Sequence, residues 1–581
     1  MKPEAPVTEA NAAIHYEDDA FRIDVPKLMG RQMAGNGFLH GFLRYGGVDT
    51  LYAHTPNERA GHNFRATANA YGARPVHLIT PAKLEDLRQA GCLSLPGPSL
   101  EEHAWHRLRH GERAWSLCGI THTTASHRVM DAITQLTVAP VRAWDALVCT
   151  SRAVRDTVRT LIESQLDYLR WRLGTTVRPD LPQFPLIPLG VDCEKFSPDA
   201  ARRARARAKL GLGANDVAAL FVGRLSFHAK AHPQPMYLAL ERAARSARAR
   251  GQRVCLIQTG WAANDMIDRA FRDGAQTLCP SVRTVFVDGR DQDDALDTWA
   301  AADVFVSLSD NIQETFGLTP IEAMAAGLPV VASDWDGYRD TVRDGIEGFL
   351  APTLIPPSPL GMPLAERHET GVDNYDKYCG HAGQFASVDT DACAAAFERL
   401  FASPELRARM GDAGRARARA VYDWKVIVGR HQALWAELAE RRRADADLTG
   451  GMPPPHRPSR DDPFRLFAGY ATSALGPGHR VRLQPGATPA RLEQRRTLAM
   501  NAFASAVLPT ARLCNALLGT LSENATVTVS AILDRVKPQA HDDAMRALVW
   551  MAKMDLIAIQ SPETPPTPPT ASAKVPPGRA H

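Results

Sequence analysis

The chain has 581 residues, 45% hydrophobic and 23% charged, an ordinary globular balance in a length that calls for more than one domain. With 68 Lys and Arg against 64 Asp and Glu, its net charge of +4 excludes bulk attraction to nucleic acid. No apolar run is long enough to span a membrane, the polar N-terminus lacks a signal-peptide core, and the nine cysteines include no Cys-x-x-Cys pair for zinc. Cysteines dispersed through apolar runs predict buried free thiols in a reducing, cytoplasmic compartment.

Residues 1–20 read as a flexible arm, and 21–182 as an N-terminal Rossmann-like domain of alternating strands and helices. Within it, WDALVCTSRAVRDTV (144–158) spells a buried strand, a Thr/Ser cap and a helix. The Pro-rich PQFPLIPLGVDCEKFSP (182–198) leads into a second α/β domain over 187–422. Its apolar runs at 217–225, 253–260, 283–289, 302–309 and 328–334 alternate with helices at 237–251, 293–301 and 318–326. That alternation predicts a parallel, doubly wound sheet.

Residues 352–388, rich in Pro, Gly, His and Tyr, interrupt the pattern and are expected to form an inserted surface loop. Helices resume at 390–421, and 423–446 carries an apolar stripe of helical period. A second linker is expected at 450–463, then a small mainly helical module at 464–560, then a disordered Pro-rich tail at 561–581. The stretch 523–559 resembles the helix-turn-helix core of a winged-helix unit. Between 521 and 560, however, four basic residues face five acidic ones, which points to a protein-contact or structural module and not to a reader of nucleic acid.

The chemistry concentrates in NIQETFGLTPIEAMAAGLPVVASD (311–334). A helix is expected to start at Thr319-Pro320, with Thr319 as N-cap. Thr319-Pro-Ile-Glu322 also spells a capping box, in which Glu322 would only hold the helix start. Alternatively the amides of Phe316, Gly317, Leu318 and Thr319 form an anion site, since free N–H groups and the helix dipole both favour phosphate. Acids repel phosphate but bind vicinal hydroxyls, so Glu314 and Glu322 beside that site describe a sugar nucleotide. The loop after the first strand of this domain, Gly223-Arg224-Leu-Ser-Phe-His-Ala-Lys230, adds a guanidinium fork and an ammonium that could neutralise a diphosphate.

With Glu-x7-Glu inside FGLTPIEAMAAGLPVV, the GRL…K loop and IPLGVDCEKFSP, the chain resembles the retaining glycosyltransferases of family 4, over roughly residues 25–445. The resemblance implies the GT-B fold, two Rossmann-like domains with parallel sheets facing a cleft. It implies hexosyl transfer from a nucleoside diphosphate sugar, UDP- or GDP-linked, to a sugar, glycan, lipid-linked or small-molecule acceptor, without a cofactor or an essential metal. Arg224 and Lys230 match the donor-diphosphate ligands, and the 316–319 amides match the diphosphate cradle. Glu322 matches the ribose ligand, and Glu314 the acid near the donor-sugar hydroxyls. The helix at 423–446 matches the one that crosses back to the N-terminal domain.

GRQMAGNGFLHGF (30–42) resembles the family's glycine loop and places Gly35, Asn36 and Gly37 at the donor; a plain glycine turn is the other reading. In SLCGITHTTASH (116–127), His122 is favoured over His127 as the histidine near the transferred sugar. The turn DWDGYRDTV (334–342) departs from the commoner Gly-Gly turn. The Asp-x-Asp in DQDDALD (291–297) reads as the acidic first turn of a helix. Basic stretches at 201–211 and 242–251 read as solvated faces or, more sharply, as peripheral contacts at the inner membrane surface. Two rival functions stay open: a sugar-nucleotide-binding regulatory protein whose C-terminal module contacts a partner, and a sugar phosphorylase carrying a pyridoxal cofactor.

Overall fold

The computed structural model describes residues 11–24, 30–176, 178–445, 457–522 and 525–562. The chain divides into two compact units, 1–457 and 458–581. The first holds two parallel six-stranded sheets. One contains β1 (Ala13–His15), β2 (Leu51–His54), β3 (Val76–Ile79), β4 (Cys92–Ser94), β5 (Ser116–Ile120) and β6 (Ala146–Val148), in the spatial order β3-β2-β1-β4-β5-β6. The other contains β7 (Val217–Val222), β8 (Val254–Gly260), β9 (Arg283–Asp288), β10 (Val304–Ser307), β11 (Val330–Ser333) and β12 (Gly348–Ala351), ordered β12-β11-β10-β7-β8-β9. Counted from its own first strand, each sheet has the same doubly wound order, and together they make the two Rossmann-like halves of a GT-B fold.

The strands of the second half are apolar on both faces because helices cover both. Ala219, Leu256 and Val306 pack with Leu240 and Phe397 on one side. Leu220, Ile257 and Phe305 pack with Ile321 and Met324 on the other. All nine cysteines are buried and unpaired. No helix among the described residues is long and apolar enough to cross a membrane.

Several expectations need correction. The N-terminal half begins before residue 21: Ala13–His15 is a buried strand paired on both sides, followed by a short helix at Asp18–Phe21. A three-residue run beside acids is too short to signal a strand, and its burial comes from pairing with β2 and β4. Residues 1–10 of the expected arm lie outside the described residues.

Residues 352–388 are not a loop. They form a two-stranded antiparallel ribbon, β13 (Thr353–Leu354) with β14 (Ser387–Val388), enclosing helices Met362–Glu369 and Tyr375–Gly383. Arg367 grips the buried Asp373 with two bonds of 2.8 and 2.9 Å, and His381 meets the same carboxylate at 2.9 Å. His368 stacks on Tyr378 within the segment and on His127 of the N-terminal half, at 4.2 and 3.7 Å between ring centroids. Order here comes from ion pairs and ring stacking, which leave no apolar period in the sequence.

The basic stretch at 201–211 is not a free face either. Arg202 bonds Asp297 at 2.8 Å, Arg207 bonds Asp303 at 3.0 Å and Lys209 bonds Asp294. Asp294 and Asp297 of DQDDALD thus serve Lys209 and Arg202, and Asp291 caps the helix Gln292–Ala301. The crossing helix, Trp424–Ala444, packs on Gly30–Tyr45. Its Trp424 ring fills a socket of three glycines: a Cβ on Gly37, Gly41 or Gly190 would lie 2.7, 3.0 or 2.4 Å from it.

The second unit joins β15 (Arg480–Leu483), β16 (Val527–Thr528) and β17 (Ile557–Gln560) in an antiparallel sheet, ordered β16-β15-β17. Helices Val529–Leu533 and His541–Lys553 contribute to a core with Val481, Ile532, Leu548 and Met551. The heart of the predicted 450–463 linker and all but the first two residues of the Pro-rich tail lie outside the described residues.

Candidate functional site

In a doubly wound sheet the crossovers leave in opposite directions from the first and fourth strands, which opens a crevice at their carboxyl ends. In the second sheet these strands are β7 and β10, which are hydrogen-bonded neighbours. Topology alone therefore brings together Lys230, on the loop after β7, and Glu314, on the loop after β10. Lys230 Nζ donates to Glu314 Oε2, and both side chains are largely buried. Burial alone would raise the Glu314 carboxyl. The Lys230 charge and the amides of Thr315 and Phe316 outweigh it and hold Glu314 below the usual range. Burial would likewise lower Lys230, but Glu314 more than compensates and the ammonium is held charged.

Gly223 opens the loop at φ +155°, where its carbonyl lies against Gly260. Arg224, half-buried on the same loop, reaches the Ala229 carbonyl at 3.5 Å, the outer limit of a hydrogen bond. The ammonium is thus committed to Glu314, while the guanidinium is only loosely tethered.

The helix begins at Leu318, and Gly317 at φ +79° is its N-cap, with no side-chain cap. This overturns the capping box and the expected N-cap at Thr319. The Tyr338 ring lies 2.0 Å from where a Gly317 Cβ would be, so tertiary packing demands the glycine there and shifts the start. Thr319 Oγ1 is instead a buried hydroxyl without a partner among the described residues. Glu322 sits more than a turn inside the helix, and burial pushes its carboxyl up to about 7 against the pull of Lys195 and Lys230. Phe316 is buried in the core under the loop, which leaves the backbone of 316–319 as the helix-end donor set.

Gly35, Asn36 and Gly37 do not form a glycine loop; they lie inside the helix Gly30–Tyr45. Their small size serves packing. A Cβ on Gly35 would lie 2.3 Å from the Ala20 carbonyl oxygen, and Asn36 donates to the Phe21 carbonyl at 2.9 Å. Asn36 and Gly37 nevertheless share with Leu318, Glu322, Lys195 and Tyr71 the lining of a cavity of about 290 Å³. Gly35 lines a smaller, largely apolar cavity of about 30 Å³ together with His122.

Burial, with the nearby Arg31, pushes His122 down to about 4, so its imidazole is neutral. Its carbonyl accepts from Thr315 Oγ1 at 2.8 Å, which sets it across the cleft from the residue beside Glu314. His127, the alternative, is engaged in the stack on His368. Sequence reasoning missed Asp310, at the end of β10, whose carboxyl accepts from the His232 amide at 3.2 Å and is pushed by burial up to about 7. It also missed the turn after β11, where Tyr338 bonds Ser307 at 2.8 Å and Asp336 meets Ser151 at 3.3 Å across the cleft. The loss of the Gly-Gly turn was the available signal.

Residues 202–354, which hold Arg224, Lys230, Glu314 and Glu322, match the family model Glycosyl transferases group 1. Among curated relatives, the D-inositol 3-phosphate glycosyltransferase of Nocardia farcinica is 33% identical over 173 residues, 29% of this chain and 37% of that one. The enzyme of the same name from Mycolicibacterium vanbaalenii is 33% identical over 221 residues, 36% of this chain and 45% of that one. These matches span less than half the length of each relative. Among solved structures, Alr3699/HepE of Anabaena in complex with UDP-glucose is similar with a TM-score of 0.46 and 16% identity, over 72% of this chain and 98% of that one.

Proposed function

We propose that the chain transfers a sugar from a nucleoside diphosphate sugar to an acceptor hydroxyl, with retention of anomeric configuration. The observation that carries this reading is the Lys230–Glu314 pair at the crevice between β7 and β10, beside the open N-terminus of the helix at Leu318. A diphosphate there would meet Arg224, Lys230 and the 317–319 amides, and the negative charge that develops on its departure would be stabilised by the same groups. Lys230 would be shared between the phosphate and Glu314, leaving Glu314 oxygens for donor-sugar hydroxyls. Glu322 would hold the ribose.

In the step itself the bond from the anomeric carbon to the phosphate oxygen breaks and its electron pair leaves with the diphosphate. The acceptor oxygen bonds the same face of that carbon and passes its proton to the departing phosphate oxygen. His122, kept neutral, would sit on the acceptor side of the transferred sugar. Asn36 and Gly37 would border the donor through the cavity shared with Glu322, and Gly35 would support them through its contact with Ala20. The name of the curated relatives, D-inositol 3-phosphate glycosyltransferase, supports glycosyl transfer, and the acceptor is proposed only as a hydroxyl compound.

The test is turnover of a donor panel of UDP-, GDP- and ADP-sugars by the wild type, Glu314→Ala and Lys230→Ala. The expected result is a loss of about 10²–10³-fold in both variants, the scale of one lost group that stabilises transition-state charge. Equal rates in all three proteins would sink the site.

A further inference from the structure

The turn after β11 carries an expense that a glycine would not. Asp336 has φ +44°, and it and Asp555 are the two described non-glycine residues with a left-handed backbone. Its Oδ1 accepts the Ser151 hydroxyl at 3.3 Å from the N-terminal half. Its Oδ2 is buried with no partner among the described residues. Strained backbone and orphaned polar atoms persist where a ligand needs them.

The position supports the same reading. β11 pairs with β10, and β10 with β7, so the loops bearing Asp336, Glu314 and Lys230 leave three adjacent strand ends. The next residue, Gly337, lies directly on the Glu314 loop: a Cβ there would be 2.4 Å from Phe316 Cα and 2.8 Å from the Thr315 carbonyl oxygen. The charged and titratable groups near Asp336 are Glu314, Asp340 and Tyr338, while Lys230 is committed to Glu314. Burial first, and Glu314 after it, push the Asp336 carboxyl well above the usual carboxylate range.

We propose that Asp336 is a ligand of the transferred sugar, its Oδ2 taking a hydroxyl of the donor beside Glu314 where the commoner Gly-Gly turn would offer only backbone. This rests on the reading of the site as a nucleoside diphosphate sugar site. A seam role alone would need only Oδ1 and would leave Oδ2 idle.

The test is calorimetric binding of UDP-glucose against UDP, and of GDP-mannose against GDP, to the wild type, Asp336→Gly, Asp336→Asn and Ser151→Ala. For the pair that the wild type binds, Asp336→Gly is expected to weaken the sugar nucleotide about tenfold, or about 1.4 kcal/mol, while the free diphosphate stays within about twofold. Asp336→Asn, which can donate and accept, should recover most of that loss, and Ser151→Ala should leave both ligands within about twofold. The proposal is overturned if Asp336→Gly leaves sugar-nucleotide binding unchanged or weakens both ligands equally. It is also overturned if Ser151→Ala reproduces the selective loss, which would make the seam bond the cause. A wild type that binds neither pair would bring down the functional reading itself.

Discussion

The two halves of the first unit share one strand order yet furnish their crevices in opposite ways. At β7 and β10 the crevice is charged: Lys230 faces Glu314, with Glu322 and Asp310 close by. At β1 and β4 it is built of imidazoles. His15 ends β1, His54 ends the neighbouring β2, and His103 comes from the helix Leu100–Leu108 that follows β4. His15 Nδ1 lies 2.7 Å from His54 Nδ1, so one donates and the other accepts, and His15 Nε2 meets Glu17 at 3.0 Å. Burial keeps His54 at about 3 and His103 well below its ordinary value, hence neutral. Topology decides where a crevice opens, and side chains decide separately what it can bind.

The largest effect should come from breaking the charged crevice. Lys230→Met leaves Glu314 buried and unpaired, which should cost about 3–5 kcal/mol in urea denaturation, besides the loss of turnover. Adding Glu314→Gln should recover most of that stability and none of the activity. If Lys230→Met unfolds at the wild-type midpoint, the pair is not buried as described.

A middle-sized effect should separate the halves by pH. His54 has a depressed folded pKa, so its contribution is present above its unfolded value near 6.5 and is lost as pH falls toward 3. Glu322 and Asp310 have raised folded values, so their contributions are present at low pH and are lost as pH rises from about 4 through 7. The two contributions therefore oppose one another over the shared window from about pH 4 to 6.5. Between pH 3 and 7, His54→Phe should remove a part of the melting-temperature profile that rises with pH, and Glu322→Gln a part that falls, each by about 2–4 °C. Variants that shift the profile in the opposite senses would refute the contrast.

The smallest effect tests the shared scaffold. Gly41→Ala gains about 1 kcal/mol of helix propensity but presses a Cβ to 3.0 Å from Trp424, an overpacking cost of about 1–3 kcal/mol. A net loss near 1 kcal/mol, read by chemical denaturation, is expected, with little change in the charged crevice. A net gain would mean that the Trp424 socket is loose.

Legibility followed burial and period. The strands of the second half were readable because each is a continuous apolar run between helices, whereas β1 is three residues beside acids. The Lys230–Glu314 encounter could be anticipated because both follow strands of one sheet. The helix start could not be, because Thr319-Pro320 has the local chemistry of a cap while the Tyr338 ring, twenty residues downstream, requires Gly317 to take that role. Glycines at 35 and 37 look like a loop in sequence and serve helix packing in space. Residues 352–388 carry their order in ion pairs and stacked rings, which no hydrophobic period reveals.

The Trp424 socket has a mechanical consequence. One wall comes from a helix near the start of the chain, another from Gly190 at the passage between halves, and the ring itself from the returning helix. Three distant stretches of chain thus meet at one pin, the natural fulcrum for any rocking of one half against the other. A protein cut at residue 190 would leave its first fragment with an empty socket and an uncovered apolar seat, so the two halves are not interchangeable cassettes. A permuted chain that kept the returning helix joined to the first half would preserve the pin and should fold.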